Sequence, residues 1–264
     1  MRPCFFVSNA MYRIIHYRDL LTDLTLRQVK IHYRRSILGI LWSLLNPLLT
    51  LVVFSFVFQQ VVPLNIKHYS AYVFCGLLAW NWFSSSINMA AYTITFNREL
   101  VRRPEFNTEI LVAVNVASNM VSYLLALPIL LGLLLLDGLY PGWNYLFLPL
   151  ILLIQFMFTF GLSLIISALN VYYRDIGHLV SAVIVIWFYV TPVFYRVGDT
   201  KRGYEWVFNI NPMALILDMY RNIFVNAEIP DVMNLGIVSV VSILMLLIGY
   251  LIFSRLKHNF VDEL

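Results

Sequence analysis

Six long apolar stretches, at positions 37–62, 70–96, 110–136, 143–169, 179–195 and 235–254, organise the chain. None carries Asp, Glu, Lys or Arg in its interior. A helix crosses a hydrocarbon core with about 20 residues, so the pattern predicts six membrane-spanning helices. The polar gaps between them are not equivalent. The arm before the first stretch holds seven Lys/Arg, the gap after the second three, the gap after the fourth one and the tail two. The three remaining gaps share Lys67, Arg196, Lys201, Arg202 and Arg221. Excess Lys/Arg marks the cytoplasmic side, which predicts that both termini are cytoplasmic. The expected fold class is therefore an all-α integral membrane protein with six transmembrane helices.

Three units follow from this reading. Residues 1–36 form a cytoplasmic arm, 37–254 a six-helix membrane domain and 255–264 a cytoplasmic tail. In the arm, positions 12–35 predict an amphipathic helix. Ile14, Tyr17, Leu21 and Leu24 recur at spacings of three and four, with Arg13, Arg18, Asp19, Asp23, Arg27 and Lys30 on the other side. Such a helix lies along the cytoplasmic leaflet with its cations at anionic head groups. The first apolar stretch begins after some 35 residues and continues for a full span, so it is expected to stay as an anchor rather than to be cleaved as a signal.

Polar positions inside the stretches refine the picture. The first carries Asn46-Pro47, where a proline removes one backbone bond and tends to kink the helix. The second is unusually polar in its middle, with Asn81, Ser84, Ser85, Ser86 and Asn88, and the third has Asn115, Ser118 and Asn119. These groups are costly against lipid, so they are expected to face other helices or a hydrated lumen. The gap from 196 to 234 is long and partly apolar. Positions 206–217, interrupted by Asn211-Pro212, suit a re-entrant segment between spans 5 and 6 better than a seventh span, which would also put the basic tail outside.

Composition agrees with a membrane protein. Of the 264 residues 61% are hydrophobic and only 12% charged, against about 45–50% apolar in soluble domains. The net charge of +4 follows from the sorting of basic residues and gives no argument for nucleic acid. The two cysteines, Cys4 and Cys75, are expected to lie too far apart to bridge. No G-x-x-x-x-G-K-[ST] phosphate loop, no His-Glu-x-x-His or Cys-x-x-Cys metal spacing and no G-x-S-x-G turn occurs. No catalytic residue, no metal site and no cofactor site of its own is therefore read in the chain, which argues against an enzyme. The lack of intramembrane charge argues against a proton-driven carrier. Uphill transport would then draw its energy from another polypeptide.

Certain segments carry a family resemblance. They are the Tyr33-Arg-Arg-Ser-Ile-Leu-Gly-Ile-Leu-Trp-Ser-Leu-Leu-Asn-Pro47 run, Gly76-Leu-Leu-Ala-Trp-Asn-Trp-Phe-Ser84, Leu169-Asn-Val-Tyr-Tyr-Arg-Asp175, Tyr189-Val-Thr-Pro-Val-Phe-Tyr195 and Asn209-Ile-Asn-Pro-Met213. In this order and spacing the chain resembles the membrane subunit of ABC-2 type exporters, specifically the polysaccharide and O-antigen export permeases, over nearly its whole length. The resemblance implies a multi-pass protein of the bacterial inner membrane. It implies a homodimer paired with two separately encoded ATP-binding-cassette subunits, which would hold the ATP and Mg. The implied cargo is a glycan on undecaprenyl diphosphate, with O-antigen ahead of capsule and teichoic acid polymers.

The resemblance also assigns regions. The 12–35 helix would be an interface helix at the membrane entrance, where Arg27, Lys30, Arg34 and Arg35 would attract the lipid diphosphate. Positions 97–109 would include the helix that docks on the ATPase, with Arg98, Glu99, Arg102, Arg103 and Glu105 as coupling residues. Positions 206–225 would form periplasmic gate helices, with Trp206, Phe208, Asn211, Pro212 and Met213. Sugars pack their C–H faces on aromatic rings, which makes Trp42, Trp80, Trp82, Phe83, Tyr92 and Tyr123 candidates for the path. Trp80 and Trp82 are two positions apart and are expected to point to nearly opposite sides of a helix. Two competing readings are an ABC-2 exporter of small lipophilic compounds and a membrane-embedded lipid or glycan transferase. A transferase would require a convergent cluster of acidic, His or Lys groups, and the charged sites here are scattered.

Overall fold

The computed structural model of the chain describes residues 19–28, 41–58, 66–103, 106–196 and 205–264. Among these residues every regular element is helical. Residues 19–28 form α1, within the predicted amphipathic arm. The larger elements are α2 (Leu41–Phe56), α3 (Tyr69–Phe96), α5 (Glu109–Leu136), α6 (Leu148–Tyr172), α7 (Ile176–Val190) and α10 (Val232–Leu256). Short helices occupy the gaps: α4 (Arg98–Val101), α8 (Glu205–Ile210), α9 (Pro212–Phe224) and α11 (Phe260–Glu263). A 3₁₀ turn, Trp143–Phe147, leads into α6.

The predicted boundaries hold closely for the second, third, fourth and sixth stretches. The fifth differs. It was expected at 179–195, and the helix runs three residues earlier and stops at Val190. The cause is Pro192, because the residue before a proline is driven out of the helical region. Thr191 accordingly adopts φ −88° and ψ 131°. The break in the 206–217 segment falls where the sequence placed it. Asn211 leaves helical geometry, its side chain accepts a bond from the Met213 amide at 3.1 Å, and Pro212 opens α9 as the first helical residue.

Contacts between distant residues sort the helix ends into two groups. At one end, Lys257 Nζ after α10 meets Glu109 Oε1 at the start of α5 at 2.7 Å. The Tyr172 hydroxyl at the end of α6 donates to the Leu256 carbonyl at 2.9 Å. At the other end, His68 before α3 lies 3.5 Å from Asp137 after α5, and Asn144 donates to the Ile223 carbonyl in α9. The chain thus runs up and down between the two ends, with the α8–α9 hairpin at the second.

The core is built around α3, which packs against α2, α5, α6, α7 and α9. It is as long as α5 yet less apolar, because Asn81, Ser84, Ser85, Ser86 and Asn88 interrupt it. Among the described residues, three helical runs combine length and apolarity enough to cross a membrane: Glu109–Leu136, Trp143–Tyr172 and Val232–Glu263. The helices Leu45–Phe56 and Ile176–Val190 are apolar and shorter. Two buried polar side chains at the α3–α5 contact find protein partners. Asn115 donates to the Ser86 carbonyl at 2.8 Å, and the Trp82 indole to the Val116 carbonyl at 3.2 Å. α6 and α10 approach one another closely at two glycines. A Cβ on Gly161 would lie 2.6 Å from the backbone of Met245 and Leu246, and Gly249 faces Gly161 from the other helix. Small residues at such crossings let two membrane helices gain dispersion contact along their backbones.

Candidate functional site

The second end of the bundle holds the most elaborate polar arrangement. The Thr191 amide makes the last helical bond of α7, to the Trp187 carbonyl at 2.9 Å, and the chain continues through Pro192-Val193-Phe194-Tyr195 out of the helix. Three successive carbonyls of this strap are taken by side chains from elsewhere. Arg221 Nη2 of α9 donates to Val193 O at 2.7 Å, the Tyr69 hydroxyl to Phe194 O at 3.2 Å and the Tyr72 hydroxyl to Tyr195 O at 3.1 Å. On its other side the Phe194 ring stacks on Phe54 and Phe58 at the end of α2, with centroids 5.1 and 5.3 Å away.

Asn211 joins the strap to the hairpin. Its amide donates to Thr191 Oγ1 at 2.9 Å, and its carbonyl oxygen accepts from the Trp187 indole at 3.0 Å as well as from Met213. Of the other predicted gate residues, Met213 and Phe208 are buried, Pro212 is half-buried, and Trp206 is 61% exposed. Trp206, Asn211 and Pro212 line a groove of about 320 Å³ together with Trp187, Val190 and Ile210. Asp218 sits one turn before Arg221. Desolvation by the packed helix raises its carboxyl above the ordinary value, and the Arg221 charge opposes that shift.

The first end carries the predicted coupling residues. Arg98, Glu99, Arg102 and Arg103 are exposed, while Glu105 lies outside the described residues. Val101 anchors α4 in a small apolar cluster with Ile94, Leu111, Leu164, Val171, Phe253 and Phe260. The α4 turn is thus held by its apolar side and presents its charges outward.

Between the ends, the structure does not bring the predicted path aromatics to one surface. Trp80, Trp82, Phe83 and Tyr123 are all buried inside the subunit. Trp82 and Tyr123 pack on one another at 5.5 Å, and Phe83 packs edge-on to Trp187 at 5.2 Å. Trp80 and Trp82 do diverge, yet both directions lead into protein because α3 is enclosed. Tyr92 is half-buried, stacked on Phe96 and seated over Gly177 at the start of α7. The side chain of Trp42 lies outside the described residues. The surface of α3 combines apolar side chains, Met89 and the strongly exposed Phe96 at its end, with a polar group at mid-helix. Ser85 is exposed, and Asn81, Ser84 and Asn88 are half-buried beside it. Asn88 accepts from Ser181 of α7 at 3.0 Å. Of the entrance residues, Arg27 is exposed on α1, and Lys30, Arg34 and Arg35 lie outside the described residues.

Sequence reasoning missed Arg221, Tyr69, Tyr72 and Gly76. Arg221 gave a signal. It follows Leu217 by four positions, so the helical spacing puts a cation on the apolar face of α9.

Comparison with known proteins adds to this geometry. The family model described as ABC-2 type transporter matches residues 20–225. The O-antigen export system permease protein RfbA of Myxococcus xanthus is 34% identical over 253 residues, covering 95% of this chain and 97% of that protein. Two proteins of the same description from Klebsiella pneumoniae are each 30% identical over 254 residues, 96% of this chain and 98% of theirs.

Proposed function

The chain belongs to the ABC-2 type transporter family, and we propose that it is the permease subunit of an O-antigen export system in the bacterial inner membrane. The observation that carries this reading is the end-to-end match to permeases of that description, at 34% identity over 95% of the chain. We further propose six spans with both termini cytoplasmic. The sorting of basic residues supports this. Arg98, Arg102, Arg103, Arg174, Arg255 and Lys257 fall at the first end of the bundle, which would be cytoplasmic. The α8–α9 hairpin would then lie at the periplasmic side.

Two copies of the chain would enclose the path, and two ATP-binding-cassette subunits, holding ATP and Mg, would dock on α4. The cargo would be a glycan on undecaprenyl diphosphate, entering beside the basic arm. The polar stripe of α3 supports a hydrated route. Ser85 and Asn81 sit at mid-helix and reach the subunit surface, where lipid would leave their side chains unsatisfied and sugar hydroxyls or water would not. The exposed apolar face of α10, with Val240, Leu244, Leu247 and Leu251, suits lipid contact instead.

The test is co-expression with its genomic neighbours. The tagged chain should retain a stoichiometric ATP-binding-cassette subunit, and its deletion should trap lipid-linked glycan on the cytoplasmic side. A chain that purifies alone, with no ATPase activity restored by the neighbours, would overturn the proposal.

A further inference from the structure

Arg221 is an anomaly. It is 4% exposed, at the edge of an apolar bundle, and meets no carboxylate within ion-pair distance among the described residues. Its guanidinium carbon lies 3.7 Å from the centre of the Tyr72 ring, and one nitrogen donates to Val193 O. Its Nε has no acceptor in this arrangement. A buried cation kept for one carbonyl and one ring face is expensive where an apolar residue would pack as well. The surroundings are shaped to admit it. A Cβ on Gly76 would stand 2.9 Å from Arg221 Nη2, 3.0 Å from Leu217 and 3.1 Å from Val193 O. The bare backbone at position 76 is what lets α9 and the strap close onto α3.

Three parts of the chain meet at this point. The strap is the direct continuation of α7, Arg221 belongs to α9, and Tyr69 and Tyr72 belong to the central helix. Non-helical backbone within a membrane protein persists only where protein or water satisfies its polar groups. Here three consecutive carbonyls are satisfied by three side chains from two elements, and Asn211 adds a fourth tie from the hairpin to Thr191.

Resting on the export reading above, we infer that Arg221, Tyr69 and Tyr72 clamp the 191–195 strap so that α7 and the α8–α9 hairpin move as one body. They are positioning residues for export. They fix the register between a helix that would move with the ATPase and the hairpin that would close the outer end. The unpartnered Nε gives the clamp a donor free to take an acceptor in another conformation.

The experiment uses the intact permease–ATPase complex, in cells for export and reconstituted for ATP hydrolysis. Arg221→Met and Gly76→Ala are compared with the parent, and the quantity read is glycan exported per ATP hydrolysed, normalised to complex present. The clamp predicts at least a tenfold fall in that ratio in both variants, with hydrolysis retained. A merely structural residue would lower the amount of complex and leave the ratio within twofold of the parent, which would overturn the inference. If Arg221→Met does not accumulate, the double variant Tyr69→Phe, Tyr72→Phe removes two donors and keeps both rings, and the same ratio decides. A parent complex that exports no glycan would instead overturn the proposed function.

Discussion

Lys257 and Glu109, 148 positions apart, meet at 2.7 Å and tie the end of α10 to the first turn of α5. The pair is mostly shielded, and the second carboxylate oxygen of Glu109 is buried without a partner. Removing the ammonium leaves a charge with nothing to balance it. Lys257→Ala is expected to cost about 1–3 kcal/mol. Glu109→Gln, which keeps an acceptor for Lys257, is expected to cost less. Thermal unfolding of the detergent-solubilised protein compares the two.

Gly161 and Gly132 make a matched test of helix packing. A methyl at Gly161 would run into the α10 backbone, which cannot yield as a side chain can. Overpacking of this kind costs about 1–3 kcal/mol or more, so Gly161→Ala should lower the melting temperature and the yield of folded protein. Gly132 in α5 faces open space. There Gly→Ala should be neutral or should stabilise by about 0.5–1 kcal/mol through helix propensity. Equal effects at both positions would contradict the close α6–α10 approach.

Asn211 holds three bonds at once, to Trp187, Thr191 and Met213. Asn211→Ala orphans the buried Thr191 hydroxyl and the Trp187 indole and removes the cap of α9. A loss of about 1–3 kcal/mol is expected. Trp187→Phe removes one donor and keeps most of the ring packing, so it should be milder. Limited proteolysis of the hairpin in the two variants reads the difference.

Charge reversal at Arg102 and Arg103 should separate assembly from folding. Both side chains are exposed, and surface changes of this kind usually shift stability by less than about 0.5 kcal/mol. Arg102→Glu with Arg103→Glu should therefore leave the melting temperature of the chain in place while reducing the ATPase subunit recovered with it. Unchanged recovery would remove these residues from the proposed dock.

The polar stripe of α3 offers a test of the path. Ser85→Leu replaces an exposed hydroxyl by an isobutyl group at the subunit surface. It should reduce export several-fold with the complex and its ATP hydrolysis intact. Full export would place the route elsewhere.

The long helices were legible because continuous apolar runs mark them, and four of them could be bounded within a few residues. Asn211-Pro212 was legible as a break because a capping side chain followed by proline is a local signal. The end of α7 was not, because Val193, Phe194 and Tyr195 are apolar and read as a continuation. Only Pro192 carried the stop. The aromatic assignments on α3 show a different limit. Hydropathy reports that a ring avoids water and is silent on whether it meets lipid, protein or cargo. The clamp was illegible for a third reason. Tyr69 and Phe194 lie 125 positions apart, and only the folded chain brings them together.

The central place of α3 bears on how the protein is made. The helix least suited to lipid is the one most enclosed by its neighbours. A nascent chain that has emerged only through α3 has no stable home for Ser86 and Asn88 in the bilayer, because α5 and α7, which pack on them, have yet to be synthesised. Insertion of this segment is then a collective event: it waits in the translocation machinery, or leans on α2, until the later helices arrive to shelter it. Truncations downstream of α3 would accordingly be recognised by membrane quality control as failed insertions rather than as shortened transporters.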